Sequence, residues 1–262
     1  MTSNAEYHAD PAISASHLHA AAISPYHYWS RYLDPQRPVV PPTAAMRLGS
    51  LVHCAVLEPD ELTKRYAIAP DRRTNAGKAA AAEMEAAGIE PVSTADMEQA
   101  MAMAASVRSH QAAAELLRNG MAEQSFWWDD QQSGLRCKCR PDWMNGTTLV
   151  DLKTTMDASP RAFARSVAQY RYHVQANHYL AGTGTERFVF IAVEKTYPFA
   201  VAVYDLDSDA MLHGETARRN DLQTIADCRA ISEWPGYGNT VQSLSLPAWA
   251  MQTTSTITSD DF

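Results

Sequence analysis

The order of apolar and polar positions divides the chain into a helical first half and an alternating helix–strand second half. Ser14 or Ser16 stands as an N-cap before an alanine-rich stretch, and Ser24-Pro25 opens a second helix carrying Tyr26, Tyr28, Trp29 and Tyr32. Pro35, Pro38, Pro41 and Pro42 mark a loop; helical spacing then resumes over 44–57 and stops at Glu58-Pro59. Residues 71–78 read as a basic loop hinged on glycine, followed by alanine- and methionine-rich helices over 79–87 and 94–118.

At Ser125 the texture changes. Runs over 126–128, 135–143 and 147–153 read as three strands, with Asn145-Gly146 giving a strong hairpin signal between the last two. Ser159-Pro160 caps a helix running to about Leu180, with Phe163, Val167, Tyr170 and Val174 at helical spacing. Two further strands (187–193 and 199–204) and a final helix (209–231) complete the order. That order predicts an α/β fold, a mixed central sheet flanked by helices, behind an N-terminal helical region. A single domain over 1–262 is expected: a mostly helical part over 1–120, an α/β core over 121–251 and a flexible tail over 252–262. The tail ends Asp-Asp-Phe, which suits a solvated end or a dock for a partner.

Composition narrows this picture modestly. Apolar residues make up 46% and charged residues 20% of 262, ordinary for a globular protein with a substantial core. No run of about 18 apolar residues occurs, and the opening lacks the regions of a signal peptide, so a cytoplasmic protein with no membrane association is expected. Cys54, Cys137, Cys139 and Cys228 complete no zinc or iron–sulfur set and read as small buried thiols. With 22 basic against 30 acidic residues the net charge is −8, which argues against a surface coated for nucleic acid. Positive charge confined to one channel would still be compatible with that total.

The candidate chemistry lies on the second hairpin. Asp142 and Asp151 flank the Asn145-Gly146 turn, so a hairpin can bring both carboxylates to one sheet edge. Two converging carboxylates repel unless a cation lies between them, and oxygen ligands select a hard ion such as Mg²⁺. The Leu152 carbonyl offers a further oxygen. Lys153 shares the strand face of Asp151, placed to orient a water or stabilise charge on a phosphate. His53, one turn after Gly49 in the apolar helix, reads either as a core histidine or as a metal ligand, and Gly49 would admit a close backbone approach. Gln175 and Tyr179 lie four apart on one helix face, a packed or solvated pair as readily as a DNA contact.

The string Asp142…Asp151-Leu152-Lys153-Thr154-Thr155, with Gly49-Ser50-Leu51-Val52-His53-Cys54 and Leu57-Glu58-Pro59 before it, resembles the PD-(D/E)XK nuclease superfamily. More closely it is similar to the C-terminal nuclease domain of RecE-type exonucleases. Ile13-Ser14-Ala15-Ser16, Tyr170-Arg171-Tyr172-His173-Val174-Gln175, Glu233-Trp234-Pro235 and residues 244–250 extend the likeness over almost the whole chain.

The resemblance implies metal ligation by His53, Asp142, Asp151 and the Leu152 carbonyl, with Lys153 as catalytic lysine and Gln175 and Tyr179 as the Q-x-x-x-Y element beside the site. Asp stands at 151 where many members have Glu, a variant the superfamily admits. It further implies one or two Mg²⁺ ions, replaceable by Mn²⁺, and 5′→3′ degradation of one strand of double-stranded DNA. The 3′ single strand so exposed would pass to a RecT-like annealing protein in recombination. A ring-shaped homo-oligomer, a tetramer in the RecE case, is also implied. Arg72, Arg73, Lys78, Arg161 and Arg165 are candidates for DNA contact, with an ordinary solvated face as the alternative. Two other functions remain open: a RecB- or Cas4-like single-strand or structure-specific nuclease, and a catalytically idle module that binds DNA ends.

Overall fold

The computed structural model describes residues 4–71 and 73–247. Its N-terminal part comprises α1 (Asn4–Ala9), α2 (Ala15–Ile23), α3 (Pro25–Tyr28) with a π-helical turn over Trp29–Leu33, α4 (Ala44–Leu57) and α5 (Pro59–Arg65). β1 (Tyr66–Ile68), α6 (Asn75–Ala86), β2 (Glu90–Val92), α7 (Thr94–Ser109) and α8 (Gln111–Leu116) follow. The second part holds β3 (Met121–Ala122), β4 (Phe126–Asp129), β5 (Arg136–Cys139), β6 (Trp143–Asn145) and β7 (Thr148–Thr155). It closes with α9 (Pro160–Gln169), α10 (Tyr172–Thr183), β8 (Arg187–Glu194), β9 (Val201–Asp205) and α11 (Ser208–Ile231).

A five-stranded mixed sheet, ordered β3-β6-β7-β8-β9, forms the centre. β6 and β7 pair antiparallel across the Asn145-Gly146 turn, with Asn145 opposite Thr148 and Gly146 at φ 57°, a conformation glycine adopts without a side-chain clash. β7 and β8 pair in parallel, so the chain must cross over between them, and α9 and α10 make that connection. β8 lies inside the sheet and is apolar without a break from Phe188 to Val193, as a strand covered on both faces requires. Val150, Leu152, Ile191 and Val193 pack under α4 and α7. Leu149, Phe188, Phe190 and Ala192 pack on the opposite face against α9 and α10.

Several sequence-based boundaries shift, each for a local reason. The run 135–143 is not one strand, since Arg140-Pro141-Asp142 separates β5 from β6 and the two belong to different sheets. Proline offers no N–H to a ladder, and Asp142 turns its carboxylate onto the Leu152 N–H at 2.7 Å. β4 and β5 form their own hairpin against α10, with Gly134 at φ 68° in the turn. The helix placed at 79–87 starts earlier, because Thr74 caps it by accepting from the Gly77 N–H at 2.9 Å. Gly77 is therefore no hinge. An added Cβ there would lie 2.0 Å from the Asp71 carbonyl oxygen, so the residue is a close-packed position.

The helix expected over 94–118 breaks at His110, whose ring accepts from the Ala113 N–H and caps α8. The helix expected to run to Leu180 breaks at Arg171, which adopts φ 56° between α9 and α10. Its guanidinium holds that left-handed backbone in place, donating to the Leu18 carbonyl at 3.1 Å and to Asp221 at 2.7 Å. β1, β2 and β3, two or three residues each, carry too little alternation to be read from sequence. β1 and β2 add a parallel pair to the region expected to be helical.

Ser14 rather than Ser16 is the N-cap of α2, with its own N–H donating to His17 Nδ1 at 2.8 Å. All four cysteines are buried thiols. Burial pushes Cys137 and Cys139 up to about 12, the uncharged and unreactive condition. Among the described residues no helix is long and apolar enough to cross a membrane.

Candidate active site

The site forms where β7 runs past the end of β6. Pairing between the two ends at Trp143 opposite Val150, so Asp151 onward has no neighbour on that side. The Asp142 carboxylate takes the exposed ladder position, its Oδ2 accepting from the Leu152 N–H. Thus the residue that breaks the strand is held by the strand it abandons.

Alternation along β7 then sorts the side chains. Leu152 points into the core under α4, whereas Asp151 and Lys153 point to the α10 face. Asp151 is 1% exposed. Its Oδ1 accepts from Gln175 Nε2 at 2.6 Å, and Gln175 Oε1 in turn accepts from Lys153 Nζ at 3.1 Å. The Lys153 ammonium also lies 2.6 Å from Asp151 Oδ2 as an ion pair and 4.4 Å from the centre of the Tyr172 ring. Burial opposes the charge on Lys153, but Asp151 and Asp142 outweigh it and raise its pKa, so the lysine stays protonated.

His53 reaches the site from α4. Thr43 caps that helix by accepting from the Met46 N–H, and Leu51, Val52, Ala55 and Val56 bury its apolar face. His53 is half-buried beside that face, with Nδ1 3.4 Å from Asp142 Oδ2. Burial lowers its pKa, and this neutral imidazole is the form that ligates metals. The Leu152 backbone lies beside the same ring and partly offsets that lowering, which sets the Leu152 carbonyl next to the site. Gly49 admits no close backbone, contrary to expectation. Nothing lies within 4 Å of a Cβ built there, and the residue lines the cleft instead.

The sequence reading missed Glu123. Ligand atoms of His53, Glu123 and Asp142 lie within 4.8 Å of one another, a spacing that can hold one cation. Glu123 arrives there through a left-handed backbone at φ 54°, its N–H donating to the Asp142 carbonyl at 3.1 Å and its Oε2 accepting from Arg140 Nε at 2.7 Å. No periodic or motif signal marks a glutamate in so short a connection.

The residues present fit a hard divalent cation. Burial, and next the charge of Asp151, raise the Asp142 carboxyl well above the usual range. Asp151 Oδ2 is buried with the Lys153 ammonium, at 2.6 Å, set against it. Two crowded, buried carboxylates sharing one lysine are an arrangement that a divalent cation relieves. The cleft beside them, about 1140 Å³, is lined by His53, Glu123, Arg140 and Lys153.

The candidate DNA contacts fall elsewhere. Arg73 is exposed and pairs with Asp71, and Lys78 is exposed on α6. Arg161 and Arg165 are exposed one turn apart on α9, whose Phe163 and Val167 face the core. Tyr179 packs edge-on against Phe188 and lines a second cavity rather than the cleft. Arg72, residues 248–250 of the motif near the end, and the tail over 252–262 lie outside the described residues.

A mixed sheet flanked by helices, with Asp142 and Asp151-x-Lys153 at one strand end, defines a PD-(D/E)XK-type fold and site. The chain belongs to the family described as the PDDEXK-like domain of unknown function (DUF3799), which it matches over residues 14–247. It is similar in structure to a candidate exonuclease from Eubacterium rectale, at TM-score 0.64 and 14% identity, covering 96% of this chain and 98% of that one. A phage-related exonuclease from Haemophilus somnus 129PT is also found, at TM-score 0.34 and 10% identity over 66% of this chain and 93% of that one. No curated protein matches.

Proposed function

We propose that the chain is a Mg²⁺-dependent exonuclease that hydrolyses one strand of double-stranded DNA from its 5′ end. The observation carrying this reading is the convergence of Asp142, Asp151 and Lys153 in one buried cluster beside His53 and Glu123. Asp142, Asp151, His53, Glu123 and the Leu152 carbonyl would hold the ion, with Mn²⁺ able to take its place. When bound, such an ion supplies Lewis acidity toward the phosphate and lowers the pKa of water.

The chain's own residues do the rest. Lys153, kept charged by the two aspartates and oriented by Gln175, stabilises charge that develops on the phosphate or steadies the attacking water. Gln175 fixes both Asp151 and Lys153 from α10, so the acid and the cation keep one relative position. Asp151 is buried and Lys153 largely so, and that burial strengthens those interactions.

The 5′→3′ polarity, the ring-shaped assembly and the RecT-like partner follow from the likeness to RecE-type exonucleases. A ring also accommodates the net charge of −8, because only its lining need be basic. Linear and relaxed circular duplex offered with Mg²⁺ or with EDTA test the activity. Loss of the linear form alone, only with Mg²⁺ and not by Asp151→Ala protein, is expected. Cutting of the circle would make the chain an endonuclease, and equal activity of the variant would remove the site.

A further inference from the structure

Arg140 lines the catalytic cleft just past the end of β5, at the start of the Arg140-Pro141-Asp142 break. Its side chain is only 15% exposed, so the guanidinium is largely withdrawn from water and depends on fixed partners. Nε donates to Glu123 Oε2 at 2.7 Å and Nη1 to Ser125 Oγ at 3.3 Å. The guanidinium carbon also lies over the Tyr7 ring, 5.8 Å from its centre. Tyr7 is held in turn, its ring edge-on to Trp127 at 6.0 Å and its carbonyl accepting from buried Lys138. The guanidinium therefore has one set position.

Glu123 is the group that needs holding. It stands in the short connection between β3 and β4 at φ 54°, a backbone region that residues with side chains rarely adopt. Its backbone is tied to Asp142 by one hydrogen bond, but its flexible side chain must still be aimed. An unguided glutamate loses rotamer freedom when it takes up an ion, and that loss weakens binding. The carboxylate has lone pairs to spare beyond the one that accepts from Arg140. Its ligand atom lies within 4.8 Å of those of His53 and Asp142.

Arg140 acts on a cation at this position in two opposed ways. As a like charge it repels the ion, and as a clamp it presets a ligand. The ion pair with Glu123 at 2.7 Å offsets most of the guanidinium's field beyond the pair, so orientation outweighs repulsion. We propose that Arg140 is a positioning residue for the cation, fixing the Glu123 carboxylate toward His53 and Asp142 before the ion arrives. The proposal rests on the metal-dependent reading of the site. The role requires the arginine fork, because a lysine keeps the charge but cannot bridge Glu123 and Ser125 in the same way.

Calorimetric titration of the full chain with Mn²⁺, in the absence of DNA, tests this apart from catalysis. Arg140→Gln should weaken Mn²⁺ binding about ten- to a hundredfold, the usual cost of losing a partner behind a metal ligand. Arg140→Lys should still weaken it about tenfold. Glu123→Gln should weaken binding too, and adding Arg140→Gln to it should cost nothing more, because the arginine acts through that carboxylate. Repulsion alone predicts the opposite sign, tighter binding in Arg140→Gln. Unchanged or tighter binding in that variant, a further loss in the double variant, or a wild type that binds no Mn²⁺ overturns the proposal. Melting in EDTA checks that each variant folds. If Arg140→Gln does not, Arg140→Lys decides, and wild-type affinity there overturns the clamp. Mg²⁺-dependent cleavage of duplex is measured in parallel. Its absence alongside Arg140-dependent Mn²⁺ binding would sink the nuclease reading and leave the clamp standing. Cleavage with Mn²⁺ binding indifferent to Arg140 would do the reverse.

Discussion

Replacing Asp142 by Asn separates the stability of the site from its function. In the metal-free protein the Asp142 carboxyl is buried beside the charge of Asp151, and both effects disfavour its ionised form. Asparagine keeps an oxygen for the Leu152 N–H at 2.7 Å, the position that also lies 3.4 Å from His53 Nδ1. One charge is removed and no hydrogen bond is lost. Relief of strain at a functional site typically stabilises by about 1–2 kcal/mol. For a chain of this size that raises the melting temperature by roughly 2–8 °C.

Magnesium should reverse the order. An ion present at about 100 times its Kd stabilises the wild type by roughly 2.7 kcal/mol, or about 5–11 °C, and leaves the variant near its starting point. Thermal melts in EDTA and in MgCl₂ measure all four states. A variant that melts below the wild type in EDTA, or that gains as much from Mg²⁺, would refute both the repulsion and the placement of the cation.

Other outcomes follow from the same geometry. Lys153→Ala should lower single-turnover cleavage about a thousandfold, whereas Gln175→Ala, which leaves the ammonium in place but unguided, should cost about ten- to a hundredfold. Acid should destabilise the fold through two histidines. His178 is fully buried, Nε2 facing the Ile13 and Lys138 carbonyls, and its pKa is lowered to about 4; burial lowers His17 to about 3. Because the unfolded imidazole binds its proton near 6.5, stability is complete above that pH and is lost as pH falls toward 4, by about 3 kcal/mol for His178. Urea midpoints from pH 7 to 4 measure this slope, and His178→Gln should flatten it. Gly214→Ala would place a Cβ 2.3 Å from the His173 carbonyl oxygen, where α11 crosses α10. That backbone cannot yield, and denaturant unfolding should show a loss of about 1–3 kcal/mol.

What was legible in the sequence was what repeats or turns locally. The two-residue period put Asp151 and Lys153 on one face of β7, and Asn145-Gly146 marked the hairpin that brings Asp142 across. The apolar run of β8 and the helical spacing of α4 were likewise visible, and with them the sandwich of helices about a mixed sheet. Features set by distant contacts were not. The break at Arg140-Pro141-Asp142 interrupts a run that looks continuous, and only the carboxylate on Leu152 shows why it stops. Glu123 joins the site through a left-handed residue in a connection with no pattern. Arg171 and His178 fall within a run expected to be one helix, yet one locks the α9–α10 break and the other pins α10 to the carbonyls of Ile13 and Lys138.

The central claim is that this cluster removes nucleotides from duplex ends with a divalent cation. Duplexes labelled separately at the 5′ and 3′ ends of one strand, incubated with Mg²⁺ or EDTA, test it most directly. Early release of the 5′ label as a short product, dependence on Mg²⁺ and loss in Lys153→Ala protein are the predicted result. Retention of both labels, release in EDTA, or full activity without the lysine would contradict it.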